Sequence, residues 1–255
     1  VMGAIYILAA LFVVLFHISE MPNVLAMIFA DAFDFEAIFG GVAGSCMIYG
    51  IKRGLFSNEA GIGSAPNAAA SAHVSHPVKQ GLVQMLSVFI DTMLVCSATA
   101  FLGLCSGVPI TEEAAGAVYI QQAATAAYGS FGPMLITFSM VLFAFTTLIG
   151  NLFYVDNCIN FIHRGEPTKQ FMTAFRAVCV VAIFVGAGMS MAAVWAIADI
   201  LMGFMCLINI PACLILGNVA VKALKDYQRQ RAEGKNPVFK AESIGLNLSE
   251  VEFWK

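Results

Sequence analysis

Six long apolar runs restrict this chain to a narrow range of folds. Each is about 17 residues or longer, the length that a helix needs to cross the hydrocarbon core of a bilayer. The chain is 60% hydrophobic and only 11% charged, outside the usual range of soluble domains. The sequence therefore predicts an all-α integral membrane protein with six transmembrane helices. The runs are 3–19, 35–51, 81–106, 131–155, 173–198 and 200–221.

The basic residues predict how these helices are oriented. All 13 Lys and Arg residues fall on one side, after the second run, after the fourth run and in the C-terminal tail. The connections on the other side contain acidic residues and no Lys or Arg. By the positive-inside rule the basic side is cytoplasmic. We therefore predict a multi-pass plasma-membrane protein, with a transmembrane domain over 1–221 and a cytoplasmic tail over 222–255.

The chain begins inside an apolar run, without the charged region and cleavage site of a signal peptide. We interpret it as part of a longer protein. Its seven cysteines form no CxxC pair, so neither disulfides nor a structural metal site are expected. Nucleotide-binding loops, zinc-protease motifs and serine-hydrolase motifs are also missing from the sequence, which gives no argument for an enzyme or a cofactor.

Three groups of polar residues interrupt the apolar runs. Asp91 falls near mid-membrane, where a carboxylate facing lipid costs roughly 3 kcal/mol; it is either a functional group or a structural acid. Thr147 and Asn151 share a helix face, with Thr146 beside them. Their oxygens either bond to their own helix or bind a hard cation such as Na⁺. His73 and His76 are expected to be solvated surface residues rather than a metal pair.

Glycines mark two further segments. Gly40, Gly41 and Gly44 lie in the second run, where they indicate either close helix packing or a break in the helix. Residues 50–66, GIKRGLFSNEAGIGSAP, combine glycines with charged side chains. This segment is predicted to bend beyond the inner membrane interface, with Ser57 and Ser64 as helix caps. Short helices are expected over 22–33, 65–75 and within 111–129.

These residues carry a resemblance to a known family. The run GIKRGLFSNEAGIGSAPNAAASAHVSHPVKQGLVQMLSVFIDTMLVCSATAF closely resembles the signature of the sodium:alanine symporter family, the alanine or glycine:cation symporters. FAFTTLIGNLFY and VWAIADILMGFMCLINIPACLILGNVAVKALKDY are similar to later segments of that family, in the same order. The resemblance implies a bacterial inner-membrane transporter that carries small neutral amino acids inward with Na⁺, or with H⁺ in some members.

The resemblance also implies a fold and a division of the binding site. The fold would be the LeuT-like inverted repeat, with the fifth helix of the first repeat and all of the second repeat present here. The missing N-terminal helices would belong to the same protein. The break at Gly40, Gly41 and Gly44 would then be the unwound midplane of the sixth core helix. Its backbone, with Ser45, would bind the substrate.

Further residues receive roles from the same resemblance. Thr146 and Thr147 correspond to hydroxyls that bind Na⁺. Asn151 replaces a Trp that some members carry in the pocket wall, so a larger pocket and a substrate such as glutamine are expected. From their positions in the chain, rather than from the resemblance, a gating or structural role is expected for Arg53, Ser57, Asn58, Glu59 and Asp91.

Two alternatives remain open at this point. The first is a proton-coupled carrier in which Asp91 titrates. The second is a fragment that does not transport.

Overall fold

The computed structural model describes residues 2–33, 42–59, 61–109, 111, 116–165, 167–247 and 254. The regular structure of these residues is helical, in agreement with the predicted all-α class. The helices, in chain order, are α1 (Met2–Phe16), α2 (Met21–Ala32), α3 (Val42–Ser57), α4 (Ala65–Ala70), α5 (Pro77–Ile90), a π-helical segment (Asp91–Cys96), α6 (Ser97–Cys105), α7 (Ala117–Tyr128), α8 (Phe131–His163), α9 (Lys169–Ala187), α10 (Met191–Ala232) and a 3₁₀ turn (Ala241–Ile244).

Four helical runs of the described residues are long and apolar enough to cross a membrane. The number becomes five if α1 and α2, bent by 101° at their junction, are counted as one broken span. The predicted second run, 35–51, lies only partly within the described residues, where α3 begins at Val42. The four runs are Pro77–Cys105, Phe131–His163, Lys169–Ala187 and Met191–Ala232.

The predicted boundary between the last two runs, at residue 199, is wrong. The side chain of Ser190 accepts a hydrogen bond from the backbone N–H of Ala193 and starts α10 at Met191. The whole stretch is apolar, so hydropathy alone does not locate a turn of three residues. α10 also continues past residue 221 to Ala232, which gives it a length of about 63 Å.

The predicted Pro and Gly signals of α2 and α7 agree with the structure, whereas Ser57, predicted as a helix cap, is the last residue of α3. α2 has Pro22 in its first turn, and α7 ends at Gly129 with a φ of 59°. Thr168, which was not among the predicted caps, caps α9 by accepting a hydrogen bond from the N–H of Phe171. Ser64 occupies the predicted N-cap position of α4, but its hydroxyl makes no capping hydrogen bond.

The chain divides into two compact units. The first comprises Val1–Asn58 and Leu86–Asn151. Its buried core consists of Leu102, Ala123, Ala124 and Ile136. The Tyr119 hydroxyl donates to the carbonyl of Gly103 at 3.1 Å. Small residues let α7 and α8 approach closely here, because a Cβ on Gly132 would lie 2.2 Å from the Ala124 carbonyl oxygen.

The second unit comprises Glu59–Met85 and Leu152–Lys255. Its buried core surrounds Ala223 on α10, with Phe239 and Ile244 from the residues that follow that helix. Elsewhere α10 is strongly apolar and open, and Leu214 and Ile215 are 78% and 77% exposed. Such a surface suits contact with lipid or with other membrane helices.

The close approach at Gly132 predicts that Gly132→Ala destabilises the protein. The added methyl group meets backbone rather than a movable side chain, which costs about 1–3 kcal/mol. We expect a lower midpoint of thermal unfolding for the purified intact protein in detergent. Gly217→Ala on α10 is the matched control, because nothing lies within 4 Å of its Cβ position. Equal midpoints for the two variants would contradict the packing.

Candidate functional site

Helix α8 carries the residues predicted to bind the ion. Thr146, Thr147 and Asn151 are all exposed on this helix, within the first unit. The hydroxyl of Thr146 donates to the carbonyls of Leu142 and Phe143, at 3.0 and 3.1 Å. A hydroxyl has one proton and two lone pairs. The bonds to the helix therefore use the proton and leave the oxygen able to accept or to bind a cation.

The residues predicted to bind the substrate are only partly described. Gly44 and Ser45 lie in the first turn of α3. Gly40 and Gly41 lie outside the described residues. The predicted break in this helix therefore stays a prediction.

The end of α3 contacts Asp91 and its neighbour. The Ser57 hydroxyl donates to Asp91 Oδ2 at 2.8 Å, and the Thr92 hydroxyl donates to Asn58 Oδ1 at 2.6 Å. The Cys96 thiol also reaches Asp91 Oδ2, at 3.8 Å. Asp91 begins the π-helical segment, and such segments are frequent at functional sites. Ser57 and Asp91, which the sequence offered as separate candidates, thus form one contact in the first unit.

The glycine-rich bend, described at residues 59 and 61–64, contacts α10 in the second unit through Gly61 and Gly63. Glu59, Gly61 and Gly63 have positive φ values of 49°, 79° and 96°. Asn209 donates from Nδ2 to the carbonyl of Gly61 at 3.1 Å. A Cβ on Gly63 would lie 2.9 Å from Asn209 Cγ. The glycines are therefore required both by backbone conformation and by contact with α10. The sequence predicted the bend but not the contact with α10.

Arg53, predicted at the membrane interface, lies within α3. Its guanidinium carbon is 5.9 Å from the centroid of the Phe56 ring, one turn along the same helix. This distance is within the range of a cation–π contact.

The prediction that His76 is a solvated surface residue is wrong. Its side chain is fully buried, and Nε2 lies 3.5 Å from Asp226 Oδ2 on α10. Burial lowers the pKa of His76, and the neighbouring Asp226 carboxylate opposes that shift. His73, only three residues away, is exposed as expected. Sequence reasoning missed this pair because nothing in either segment indicates that they meet.

A small cavity of about 280 Å³ lies in the first unit. Apolar side chains line most of it, and Tyr6, Thr99 and Ser139 contribute the hydroxyl groups. The Tyr6 and Thr99 hydroxyls form a 2.8 Å hydrogen bond. These three residues could have been identified from the sequence, because each carries a hydroxyl group within an apolar run.

The sodium:alanine symporter family model matches residues 1–241. The chain belongs to this family. The family comprises transporters rather than enzymes, which agrees with the long apolar helices and confirms the resemblance identified from the sequence.

Relatives with curated names extend the comparison. The chain is 44% identical to the amino-acid carrier protein AlsT and 39% identical to the probable sodium/glutamine symporter GlnT, both of Bacillus subtilis (strain 168). These matches cover 100% of this chain and 54% and 52% of the relatives. This chain is also 36% identical to the sodium/alanine symporter AgcS of Methanococcus maripaludis, over 92% of this chain and 52% of that protein.

The chain thus spans about half the length of the curated relatives that it matches. No solved structure matches it significantly.

The contact of Gly63 with Asn209 predicts that Gly63→Ala opens the glycine-rich bend. Both the strained φ and the clash oppose the added methyl group, at a cost of about 1–3 kcal/mol. We expect faster amide hydrogen exchange over 59–70 in the intact protein. Gly54→Ala, with open space around its Cβ position, is the control.

Adding Asn209→Ala to Gly63→Ala relieves the clash but not the strain. The double variant should therefore show a smaller effect than the sum of the two single effects. Strict additivity would contradict the close approach of residues 63 and 209.

Proposed function

We propose that this chain forms the C-terminal half of a symporter that takes up small neutral amino acids together with Na⁺. Family membership supports amino-acid symport as the class of function. The observation that carries the ion assignment is the Thr146 hydroxyl, whose proton is directed at its own helix. Its lone pairs are then available to a hard cation, which takes oxygen ligands. Thr147 would supply the second hydroxyl.

The substrate would bind at residues 40–45. Free backbone N–H groups near a helix start attract a carboxylate, which every amino acid carries. Gly40, Gly41 and Gly44 would allow the approach, with Ser45 beside them. Asn151 lies one turn beyond Thr147 and would contact the side chain of the substrate. Alanine and glycine are the expected substrates, and glutamine is a further one because Asn151 can donate and accept hydrogen bonds.

The remaining ligands would come from the missing N-terminal helices. The relatives are about twice as long as this chain, and the chain matches about half of each. In the proposed LeuT-like fold, carbonyls of the first core helix complete the Na⁺ site. Alternating access would then move the substrate across a bacterial inner membrane, with the C-terminus in the cytoplasm.

Proton coupling through Asp91 is a second candidate. It is favoured by the cluster that Ser57 forms with Asp91 and Cys96, the first and last residues of the π-helical segment. In this alternative the carboxyl of Asp91, which accepts a hydrogen bond from the Ser57 hydroxyl, would take up and release the proton.

The Na⁺ proposal predicts the behaviour of Thr146 and Thr147 variants. Removing either hydroxyl with Thr→Val should raise the Na⁺ concentration for half-maximal uptake roughly tenfold or more, because an oxygen ligand of the cation is lost and its contribution is taken as comparable to that of a hydrogen bond to a charged group, about 1.5–3 kcal/mol. Thr→Ser keeps the oxygen and should stay near the parent. The measurement is amino-acid uptake by proteoliposomes of the intact protein over a Na⁺ titration at fixed pH.

Thr173→Val is the matched control for these variants. Thr173 lies on α9 and bonds back to the Lys169 carbonyl at 2.8 Å, so it is a similar threonine without a proposed ligand role. Replacing Na⁺ with choline should abolish uptake by the parent. Undiminished uptake in choline that instead follows a pH gradient would replace the Na⁺ proposal with proton coupling through Asp91. Uptake under neither condition would contradict both coupling proposals.

The pocket assignment predicts that Asn151→Trp shifts preference toward alanine and glycine. A Trp side chain fills the space and removes the amide that would pair with glutamine. Competition of unlabelled glutamine against labelled alanine measures the shift, with labelled alanine uptake as the control for folding. Identical competition curves for the variant and the parent would exclude Asn151 from the pocket.

A further inference from the structure

The residues that follow α10 fold back onto the loop before α5. We call residues 233–247 and Trp254 the C-terminal segment. The N–H of Phe239 donates to the Ser75 carbonyl at 2.9 Å, and the Ser75 hydroxyl donates to the Pro237 carbonyl at 3.0 Å. Lys79 Nζ donates hydrogen bonds to the Ser75 hydroxyl and to Asn236 Oδ1, at 2.6 Å each. The segment is therefore bound by backbone and side-chain contacts to a part of the chain that lies far earlier in the sequence.

His76 lies at the centre of this interface. Its ring contacts the Tyr227 and Phe239 rings edge to face, with centroid distances of 5.1 Å in both cases. Phe239 in turn contacts Trp254. Asp226 approaches His76 from α10 and is itself held by Arg229 and by Gln230 Nε2. Gln230 also exchanges two hydrogen bonds with the backbone of Val238. The Asp226 carboxylate thus connects His76 to the C-terminal segment.

The hydrogen bonds of the ring require it to be neutral. The backbone N–H of Val78 donates to His76 Nδ1 at 3.2 Å. A nitrogen that accepts a hydrogen bond has no proton, so the single proton of the neutral ring is on Nε2, facing Asp226. Protonation would place a proton on Nδ1 against the Val78 N–H. Two donors would then face each other inside a closed interface.

We propose that His76 is a pH-dependent latch residue, which holds the C-terminal segment on loop 71–76 and the first turn of α5 while its ring is neutral and releases it when the ring is protonated. The charged or titratable groups around the ring are Asp226, Tyr227 and, through Asp226, Arg229 on α10, with Lys79 on α5. Asp226 favours the protonated ring, whereas Lys79 opposes it. Burial of the ring also opposes its protonation, and so does the loss of the hydrogen bond from Val78 that protonation would cause.

The sign of the pH dependence follows from the direction of the pKa shift. Burial lowers the pKa of His76 in the latched state below that of a solvated histidine, about 6.5. The latch is therefore fully stabilised above about pH 6.5 and loses stability as the pH falls through the lowered pKa. The proposal concerns the structure of the segment and does not depend on which ion or substrate is transported.

Amide hydrogen exchange of the intact protein in lipid nanodiscs tests the latch, between pH 8 and pH 5.5. Nanodiscs expose both membrane faces to the same buffer, and the rates are corrected for the pH dependence of intrinsic exchange. The protection of the amides of residues 236–246 against exchange should fall on acidification. The fall should be up to roughly tenfold for each unit by which the pKa of His76 in the latched state lies below that in the released state. The amide protection of helix α8 is the internal reference and should not fall together with that of residues 236–246.

Two variants identify the titrating group. His76→Gln keeps an acceptor for Val78 and a donor for Asp226 but does not titrate, so its protection should be independent of pH. His73→Gln removes the exposed histidine of the same loop and should keep the parent profile.

Constant protection in the parent from pH 8 to pH 5.5 would overturn the proposal, even if His76→Gln does not fold. If His76→Gln kept the pH dependence of the parent, the titration would belong to another group and the proposal would be overturned. Protection independent of pH in His73→Gln would overturn it for the same reason.

Discussion

The absence of water inside a bilayer is the constraint on which this structure depends. Backbone N–H and C=O groups must bond within the chain there, which makes helices the form of every apolar run that is described. Two of the polar side chains lie where the helical pattern changes: Asp91 begins a π-helical segment, and Asn209 precedes Pro211, the proline inside α10. The polar side chains of α8, in contrast, lie within an uninterrupted helix.

Helix α10 combines two roles in the second unit. Its apolar length is exposed, as expected for contact with lipid or neighbouring helices. Two polar residues on it bind the segment that follows α3, Asn209 at Gly61 and Asp226 through His76. They are 17 positions apart, or about 25 Å along the helix. The stretch from the glycine-rich bend to His76 is thus held along one helix at both of its ends.

The sequence predicted much of the fold correctly because length and hydropathy report directly on membrane insertion. The runs at 81–106 and 131–155 were located to within a few residues at their starts, and α2 and α7 follow their Pro and Gly signals. The turn between α9 and α10 was misplaced because apolar residues continue across it. The candidate site was predicted from a resemblance, and its hydroxyls and glycines keep those roles as proposals. Ser57 and Asp91 were both named, although their contact was not.

The order of residues along the chain was enough to establish the class of the protein, its helical content and the family to which it belongs. These properties depend on local composition and on runs of residues that are contiguous in the chain. Packing in three dimensions decided that His76 is buried while His73 is exposed, and that Gly63 must be small because Asn209 lies against it. Both outcomes depend on partners that are distant in the sequence. No local pattern encodes which distant side chain will occupy the neighbouring space, so only the folded arrangement could assign these partners.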